Sequence, residues 1–197
     1  MPQHDRESGH ASVATVDTLT PRAQPNKTTF RLMSMAGLRS GVFWLATVIS
    51  AFEMFAGSFW ALLQIEFTRS LFIHLHYPFY LLKILGIWRL LCGVALLLPG
   101  FPKLKEWAYA GAFFLYSGAV ASHVLVGDGS DRWGIAAVYG LIALISWALR
   151  PAEWRMDSKE VMPAPTVTAW ALFIVATIVL LVFGYLSVPF APPPLPT

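Results

Sequence analysis

The sequence predicts an all-α, polytopic membrane protein with a four-helix transmembrane bundle and one additional C-terminal transmembrane helix. Three observations predict this class. Hydrophobic residues make up 56% of the 197-residue chain. Charged residues make up only 13%, whereas soluble domains usually have about 25%. Five long apolar segments follow one another along the chain, each separated from the next by a polar connection.

Each apolar segment is long enough, or nearly long enough, to cross a bilayer. A helix needs about 20 apolar residues to span the ~30 Å hydrocarbon layer. The fourth segment is short, but Trp133 and Trp147 flank it as interfacial anchors. Backbone groups inside lipid must be hydrogen-bonded within their own segment, so we expect helices. The predicted spans are residues 41–63, 79–98, 107–126, 134–149 and 169–188.

Composition divides the chain into five parts. The first part is polar and lacks the apolar core of a cleavable signal peptide near its start, so we expect a disordered cytoplasmic tail. A compact four-span membrane domain follows, and a proline-containing loop of mixed charge separates it from the fifth span. The predicted parts are the tail at 1–38, the four-span domain at 39–151, a cytoplasmic loop at 152–167, the fifth helix at 168–188 and a proline-rich tail at 189–197.

The positions of lysine and arginine predict the orientation of the chain. Near the span ends, most basic residues fall on the side of the membrane that holds the N-terminus. The positive-inside rule then places the N-terminus in the cytoplasm and the C-terminus on the periplasmic or extracytoplasmic side. The residues counted on the cytoplasmic side are Arg22, Lys27, Arg31, Arg39, Lys103, Lys105, Arg150, Arg155 and Lys159, against Arg69 and Arg132 on the other.

Several kinds of chemistry are excluded by the sequence. Cys92 is the only cysteine, so the chain has no intramolecular disulfide, no Cys-x-x-Cys redox pair and no cysteine-ligated cluster of its own. The sequence also carries no flavin, nucleotide or iron–sulfur signature. We expect the lipid bilayer to be its main surroundings and expect no nucleic-acid partner.

Arg89 lies near the middle of the second span, in the stretch KILGIWRLLCG. An unaided arginine facing lipid there would cost at least about 2.5–3.5 kcal/mol, so we expect Arg89 to face the bundle interior. Gly86 and Gly93, at i−3 and i+4, would let another helix approach that face. Glu53 is the only acidic residue deep in any predicted span. We therefore predict an intramembrane ion pair between Glu53 and Arg89, as glue between helices or as part of a functional pocket.

Tyr116 and His123 lie on one face of the third span, with small residues on the same face. A tyrosine and a histidine stacked in this way predict a buried polar pocket. Together with Glu53 and Arg89, these side chains could surround the head group of a quinone or another small ligand. The sequence identifies no catalytic residue and leaves open whether the protein is an enzyme.

Further histidines fall on the membrane side where His123 is predicted to lie. His74 and His76 are in the first outer loop, and Asp128 is in the turn after the third span. A metal or haem site made by these side chains is one alternative. The His-x-His spacing is not matched by a second motif on another helix, so we expect no metal site and expect His123 to hydrogen-bond within the bundle.

Residues 76–128 closely resemble the DoxX-like family of small bacterial integral membrane proteins. The resemblance extends over about residues 41–151, and the fifth span is an addition to the four that are usual in the family. Two departures stand out: Arg89 replaces a more usual lysine, and Leu115 stands where many members carry an aspartate. The shared residues are Tyr77, Pro78, Lys83, Gly86, Trp88, the basic Arg89, the segment 97–100, the segment 105–111, Gly118, His123, Gly127, Asp128 and the segment 146–151.

The resemblance implies a location in the bacterial inner membrane and a link to redox chemistry. Relatives in the wider family include a subunit of a thiosulfate:quinone oxidoreductase and a membrane partner in oxidative-stress complexes. We therefore expect an accessory subunit of quinone-linked or oxidative-stress redox chemistry, with quinone as the possible cofactor and a membrane or peripheral redox protein as the partner. The alternative is a non-enzymatic membrane scaffold or small-molecule carrier, in which the buried polar residues are structural.

Overall fold

A computed structural model describes residues 27–151, 154 and 164–194 of the chain, with side chains from residue 35 onward. Within these ranges the regular structure is entirely helical. The helices are α1 (Lys27–Leu62), α2 (Glu66–His74), α3 (Tyr80–Leu97), α4 (Pro102–Leu125), α5 (Ser130–Leu149) and α6 (Val167–Leu186), followed by a 3-10 turn at Val188–Phe190.

Five of these helices are long and apolar enough to cross a membrane, which confirms the predicted all-α polytopic fold. In the described part of the chain, only α2 is too short to span. The five candidate spans are Met35–Leu62, Tyr80–Leu97, Pro102–Leu125, Ser130–Leu149 and Val167–Leu186.

α1 is the central helix of the bundle. It contacts α3, α5 and α6, while α4 packs against α5 and α3. In α1, 56% of the most apolar window is buried inside the protein, compared with 28% in α3 and α4 and 6% in α6. Ala51, Met54 and Phe55 are fully buried on α1. The core of the bundle therefore lies around this helix, and the outer faces of the other helices remain apolar and exposed, as lipid requires.

Two glycines of α3 bring it close to α1. A Cβ atom on Gly86 would lie 2.8 Å from Cγ of Leu62, and one on Gly93 would lie 2.9 Å from the ring of Phe55. Ser58 on α1 also donates a hydrogen bond of 2.8 Å to the carbonyl oxygen of Gly86. Small residues that permit such close approach are a common basis of helix packing in membranes.

α6 packs on α1 by a similar close approach. A Cβ atom on Gly184 would lie 3.1 Å from the backbone nitrogen of Ala56. The indole nitrogen of Trp60 donates a hydrogen bond of 3.0 Å to the hydroxyl of Ser187. Most other side chains of α6 are exposed or half-buried, so this helix adds a lipid-facing layer outside α1.

The structure departs from the predicted boundaries mainly at helix ends. The tail predicted at 1–38 is helical from Lys27, and no proline interrupts the chain between Pro25 and the first span. The segment predicted as the loop 64–78 contains α2, whose Thr68 and Phe72 lie one turn apart and are both buried. Residues 1–26, most of the predicted loop at 152–167 and residues 195–197 lie outside the described residues.

α4 and α5 also begin earlier than their apolar segments predict. α4 starts at Pro102 rather than at 107, and α5 at Ser130 rather than at 134. Proline is favoured in the first turn of a helix, since its missing N–H would be unpaired there in any case. Hydropathy marks the part of a helix inside the hydrocarbon, whereas the helix itself continues into the polar boundary.

Replacing Gly93 with alanine should destabilise the contact between α1 and α3. The added methyl group would press on the Phe55 ring, and overpacking of this kind costs about 1–3 kcal/mol. The matched control is Gly118→Ala, because Gly118 lies within α4 with open space around its Cα and alanine favours a helix. We expect a lower unfolding temperature in detergent for Gly93→Ala only; equal temperatures for the two variants would contradict this packing.

Candidate functional site

Four polar side chains lie along the buried face of α4. Lys105, Tyr109, Tyr116 and His123 are each less than a tenth exposed. The rise from Lys105 to His123 is about 27 Å, close to the ~30 Å thickness of the hydrocarbon layer. Each of these side chains bonds to polar groups on other segments, so the face carries three separate clusters, one near each end of α4 and one between them.

The Arg89 cluster consists of Glu53, Arg89 and Tyr116 and lies between the other two. Nη2 of Arg89 donates to Oε1 of Glu53, and the hydroxyl of Tyr116 donates to Oε2 of the same carboxylate. The carboxylate side chain is 14% exposed and the arginine side chain 21%. Both carboxylate oxygens are thus bound, and the cluster joins α1, α3 and α4 at one point.

Small residues make room for the Arg89 cluster. Gly57 is one turn after Glu53 on α1, and a Cβ atom there would overlap the guanidinium group of Arg89. On α5, Gly140 would place a Cβ atom 3.1 Å from Cβ of Tyr116. Tyr139 stacks on the Tyr116 ring with centroids 6.2 Å apart. The backbone of α1 and the face of α5 therefore determine where the arginine and tyrosine side chains can lie.

A groove of about 650 Å³ runs between α3 and α4 beside this cluster. Arg89 is the only charged lining residue, and Leu115, where the resemblance leads us to expect aspartate in many relatives, adds an apolar wall. Trp88 and Trp107 at the rim are 63% and 77% exposed, so the groove opens sideways, toward the surroundings of the bundle. Its lining residues are Met54, Leu85, Trp88, Arg89, Leu91, Cys92, Ala95, Leu104, Trp107, Ala108, Gly111, Ala112, Phe114 and Leu115.

Two polar groups of the groove differ in their bonding. The thiol of Cys92 donates to the carbonyl oxygen of Ala108 at 3.3 Å. Nε of Arg89 is buried and has no hydrogen-bond partner among the described residues. A buried donor without a partner is costly, and this donor belongs to a residue that lines the groove.

The Asp128 cluster consists of His74, His123, Asp128 and Arg132 at the C-terminal end of α4. Nδ1 of His123 lies 2.6 Å from Oδ2 of Asp128, and Nε2 of His74 lies 2.9 Å from both carboxylate oxygens. Nε of Arg132 is 3.8 Å from Oδ1. The hydrogen bond from His123 lowers the pKa of Asp128 below its ordinary value, against the opposing effect of burial, so this carboxyl group is ionised at neutral pH.

The turn at the end of α4 explains why Asp128 meets His123. Gly127 has φ +85°, a left-handed conformation that glycine adopts without strain. The amide of Asp128 donates to the carbonyl oxygen of His123 at 3.0 Å, and the amide of Gly127 donates to that of Val124 at 3.1 Å. These two bonds define a Schellman motif. In this motif the last residue, Asp128, folds back over the first residue, His123. Here the contact between these two positions is the His123–Asp128 pair.

The Lys105 cluster lies at the other end of α4, and the sequence did not predict it. The sequence predicts that Lys105 lies in the loop before the third span, whereas it lies inside α4 and is 4% exposed. Its ammonium group donates to the carbonyl oxygen of Leu96 and lies 4.6 Å from the centre of the Trp154 ring. One turn later on α4, the hydroxyl of Tyr109 is 2.7 Å from that of Ser146. The available signal was the spacing of Lys105, Tyr109 and Tyr116, which share one helix face.

The structure divides the side chains that the sequence placed around one pocket. It brings Glu53, Arg89 and Tyr116 together, but His123 lies about 10 Å further along α4 and belongs to the Asp128 cluster. His76 is exposed and has φ +58°, and it takes no part in that cluster. Sequence reasoning could place these residues on a helix face or membrane side, but the turn at Gly127 and the helix α2 decide which of them meet.

Replacing Tyr116 with phenylalanine should destabilise the protein by about 2 kcal/mol, because a hydrogen bond to the buried Glu53 carboxylate is lost. The matched control is Tyr139→Phe, since the Tyr139 ring stacks on Tyr116 but its hydroxyl is not bonded to Glu53. Unfolding free energies in mixed micelles should fall for the first variant and stay within about 0.5 kcal/mol for the second. Equal losses would contradict the role of the Tyr116 hydroxyl.

Comparison with known protein families identifies the family of this chain. The model of the DoxX-like family matches residues 45–146, which is more than half of the chain. The matched segment includes the Arg89 and groove residues on α3 and α4, together with His123 and Asp128, and ends before α6. No curated protein and no solved structure matches the chain. The chain therefore belongs to the DoxX-like family and is a multi-pass membrane protein.

Proposed function

We propose that this protein is an accessory subunit of quinone-linked redox chemistry and that the groove between α3 and α4 holds the quinone. The observation that carries the proposal is the unpartnered Nε of Arg89, next to an apolar groove of ligand size. Ligand pockets of about 300–1,000 Å³ with mostly apolar walls and few polar groups are typical of small-molecule sites.

The charge of the site favours a neutral ligand. Glu53 already compensates the positive charge of Arg89, so an anionic head group would gain little attraction there. A quinone carbonyl oxygen needs only a hydrogen-bond donor, and Nε of Arg89 supplies one. The apolar tail of the quinone would follow Leu85, Leu91 and the indole rings at the rim out toward the lipid, where the groove is open.

In this proposal the chain binds and orients the quinone, and a partner protein carries the electrons. Cys92 is a single cysteine, and the sequence shows no flavin or nucleotide fingerprint, which supports an accessory role. The apolar spans place the chain in a bilayer. The distribution of lysine and arginine supports a cytoplasmic N-terminus, and membership of the DoxX-like family supports a location in the bacterial inner membrane.

A scaffold is the second candidate, and the bonding of Glu53 supports it. Its two carboxylate oxygens each accept a hydrogen bond from a side chain of a different helix, so Glu53 joins three helices without a ligand. The two proposals predict different results when a larger side chain fills the groove. A quinone site would lose its ligand, whereas the structural role of a scaffold would be unaffected.

Replacing Gly111 with leucine should strongly weaken quinone binding without unfolding the protein. Gly111 lines the groove, and open space surrounds its Cα, so the leucine side chain would occupy the ligand volume rather than press on a helix. The measurement is native mass spectrometry in mild detergent with an added short-chain ubiquinone or menaquinone analogue. We expect one quinone per chain for the unmodified protein and at least about a tenfold weaker signal for the variant.

Gly118→Leu is the matched control for this experiment. Gly118 is seven residues further along α4, is equally open and does not line the groove. It should bind quinone as the unmodified protein does. Equal binding by the Gly111 and Gly118 variants would place the quinone elsewhere, and a groove that carries only phospholipid in every sample would favour the scaffold.

A further inference from the structure

A potential metal site lies in the Asp128 cluster, about 10 Å along α4 from Tyr116. One ligand atom from each of His74, His123 and Asp128 lies within 4.8 Å of the other two. These residues come from α2, α4 and the α4–α5 turn. We propose that they bind a divalent transition-metal ion, zinc or iron(II), with at least one coordination position open. This proposal differs from the expectation of no metal site that the sequence alone supports.

The donor set fits such an ion. Two imidazole nitrogens and one carboxylate oxygen bind zinc in sites that keep a water molecule in the fourth position. The same set binds iron(II) on one face of an octahedron and leaves the remaining positions open. Each imidazole nitrogen that now meets the Asp128 carboxylate would exchange its proton for the ion, as metal binding generally requires.

The distances between the ligand atoms would have to change slightly when a metal ion binds. Two ligand atoms at about 2.1 Å from one zinc ion can be no more than about 4.2 Å apart. The His123–Asp128 and His74–Asp128 pairs, at 2.6 and 2.9 Å, are below that limit and would open to the roughly 3.4 Å that separates two ligands of a tetrahedral zinc ion with bonds of about 2.1 Å. The two imidazole rings, with centroids 6.5 Å apart, would need to move slightly toward each other. His74 can make this movement, because its side chain is 30% exposed.

The other two ligands are held in place before an ion arrives. The side chains of His123 and Asp128 are 8% and 9% exposed, and the Schellman motif at Gly127 keeps Asp128 beside His123. Such preorganisation lowers the entropy lost on binding. The exposed edge of His74 provides the path by which the ion enters and the direction in which a water molecule or another ligand would complete its coordination.

Arg132 is the one feature that opposes a cation. Its Nε is 3.8 Å from Asp128, and with a single carboxylate the site would carry one net positive charge once a divalent ion is bound. Repulsion between this charge and Arg132 limits the affinity. Nη1 of Arg132 is buried and has no hydrogen-bond partner among the described residues, so an anion or hydroxide in the open position would offset the repulsion.

The test is a titration of the full-length protein, purified without a histidine tag and stripped with a chelator. Zn²⁺, and Fe²⁺ under anaerobic conditions, are titrated by calorimetry, and Co²⁺ is added in parallel to record its visible absorption. We expect one ion per chain with micromolar or tighter affinity. We also expect a Co²⁺ spectrum typical of mixed nitrogen and oxygen ligands in a coordination number below six.

Variants separate this site from incidental binding. His74→Ala and Asp128→Asn should each weaken Zn²⁺ binding more than about tenfold, since even the loss of an outer partner of a metal ligand costs 10–100-fold. Arg132→Gln should bind several-fold more tightly, because it removes the opposing charge. His76→Ala is the matched control: His76 is two residues from His74 but exposed and outside the cluster, so its affinity should be unchanged.

Two results would overturn the proposal. The first is binding of Zn²⁺ and Fe²⁺ by the unmodified protein only at millimolar concentration, with a Co²⁺ spectrum like that of the hydrated ion. The second is equal affinity of the His74, Asp128 and His76 variants, which would locate the ion elsewhere. The Co²⁺ spectrum requires no variant, so the proposal can fail even if a substitution prevents folding.

Discussion

The structure depends on one carboxylate that is bound from two sides within the membrane domain. Glu53 accepts from Arg89 on α3 and from Tyr116 on α4. A charged side chain at this depth is costly when it is alone, and breaking a buried pair leaves an uncompensated charge. The three helices must therefore meet where these side chains meet, and Gly57, Gly86 and Gly93 are the small residues that allow it. The residue held by this constraint, Arg89, also lines the groove between α3 and α4.

The three clusters on α4 differ in what surrounds them, and this separates their roles. Lys105 is enclosed by a backbone carbonyl and an indole ring, so its bonds are structural. The Arg89 cluster borders an apolar groove that is open to the side, an arrangement suited to a ligand that arrives from the lipid. The Asp128 cluster lies at a helix end and includes a partly exposed histidine, an arrangement suited to an ion that arrives from water. The roles proposed for the three clusters therefore differ, although the clusters share one buried helix face.

Much of this fold could be predicted from the sequence, because a membrane span is recognised from the length and the apolar composition of one continuous segment. Five apolar segments give five spans, and a lone deep acid opposite a lone deep arginine can be matched by depth. The remaining features depend on local geometry that composition does not encode. α2 is short, and only one of its faces is buried. Gly127 reverses the chain so that Asp128 meets His123. Lys105 is assigned to a loop by its sequence position, because the sequence does not show that α4 begins at Pro102.

The most direct test of the central claim is a double-mutant cycle between Glu53 and Arg89, with unfolding free energies measured in mixed micelles. The variants are Glu53→Gln, Arg89→Leu and the two combined. If the pair holds the helices together, the losses of the single variants should sum to several kcal/mol more than the loss of the double variant, since each single variant strands a buried group. Additivity within about 0.5 kcal/mol would show that the two side chains are not coupled and would contradict the account.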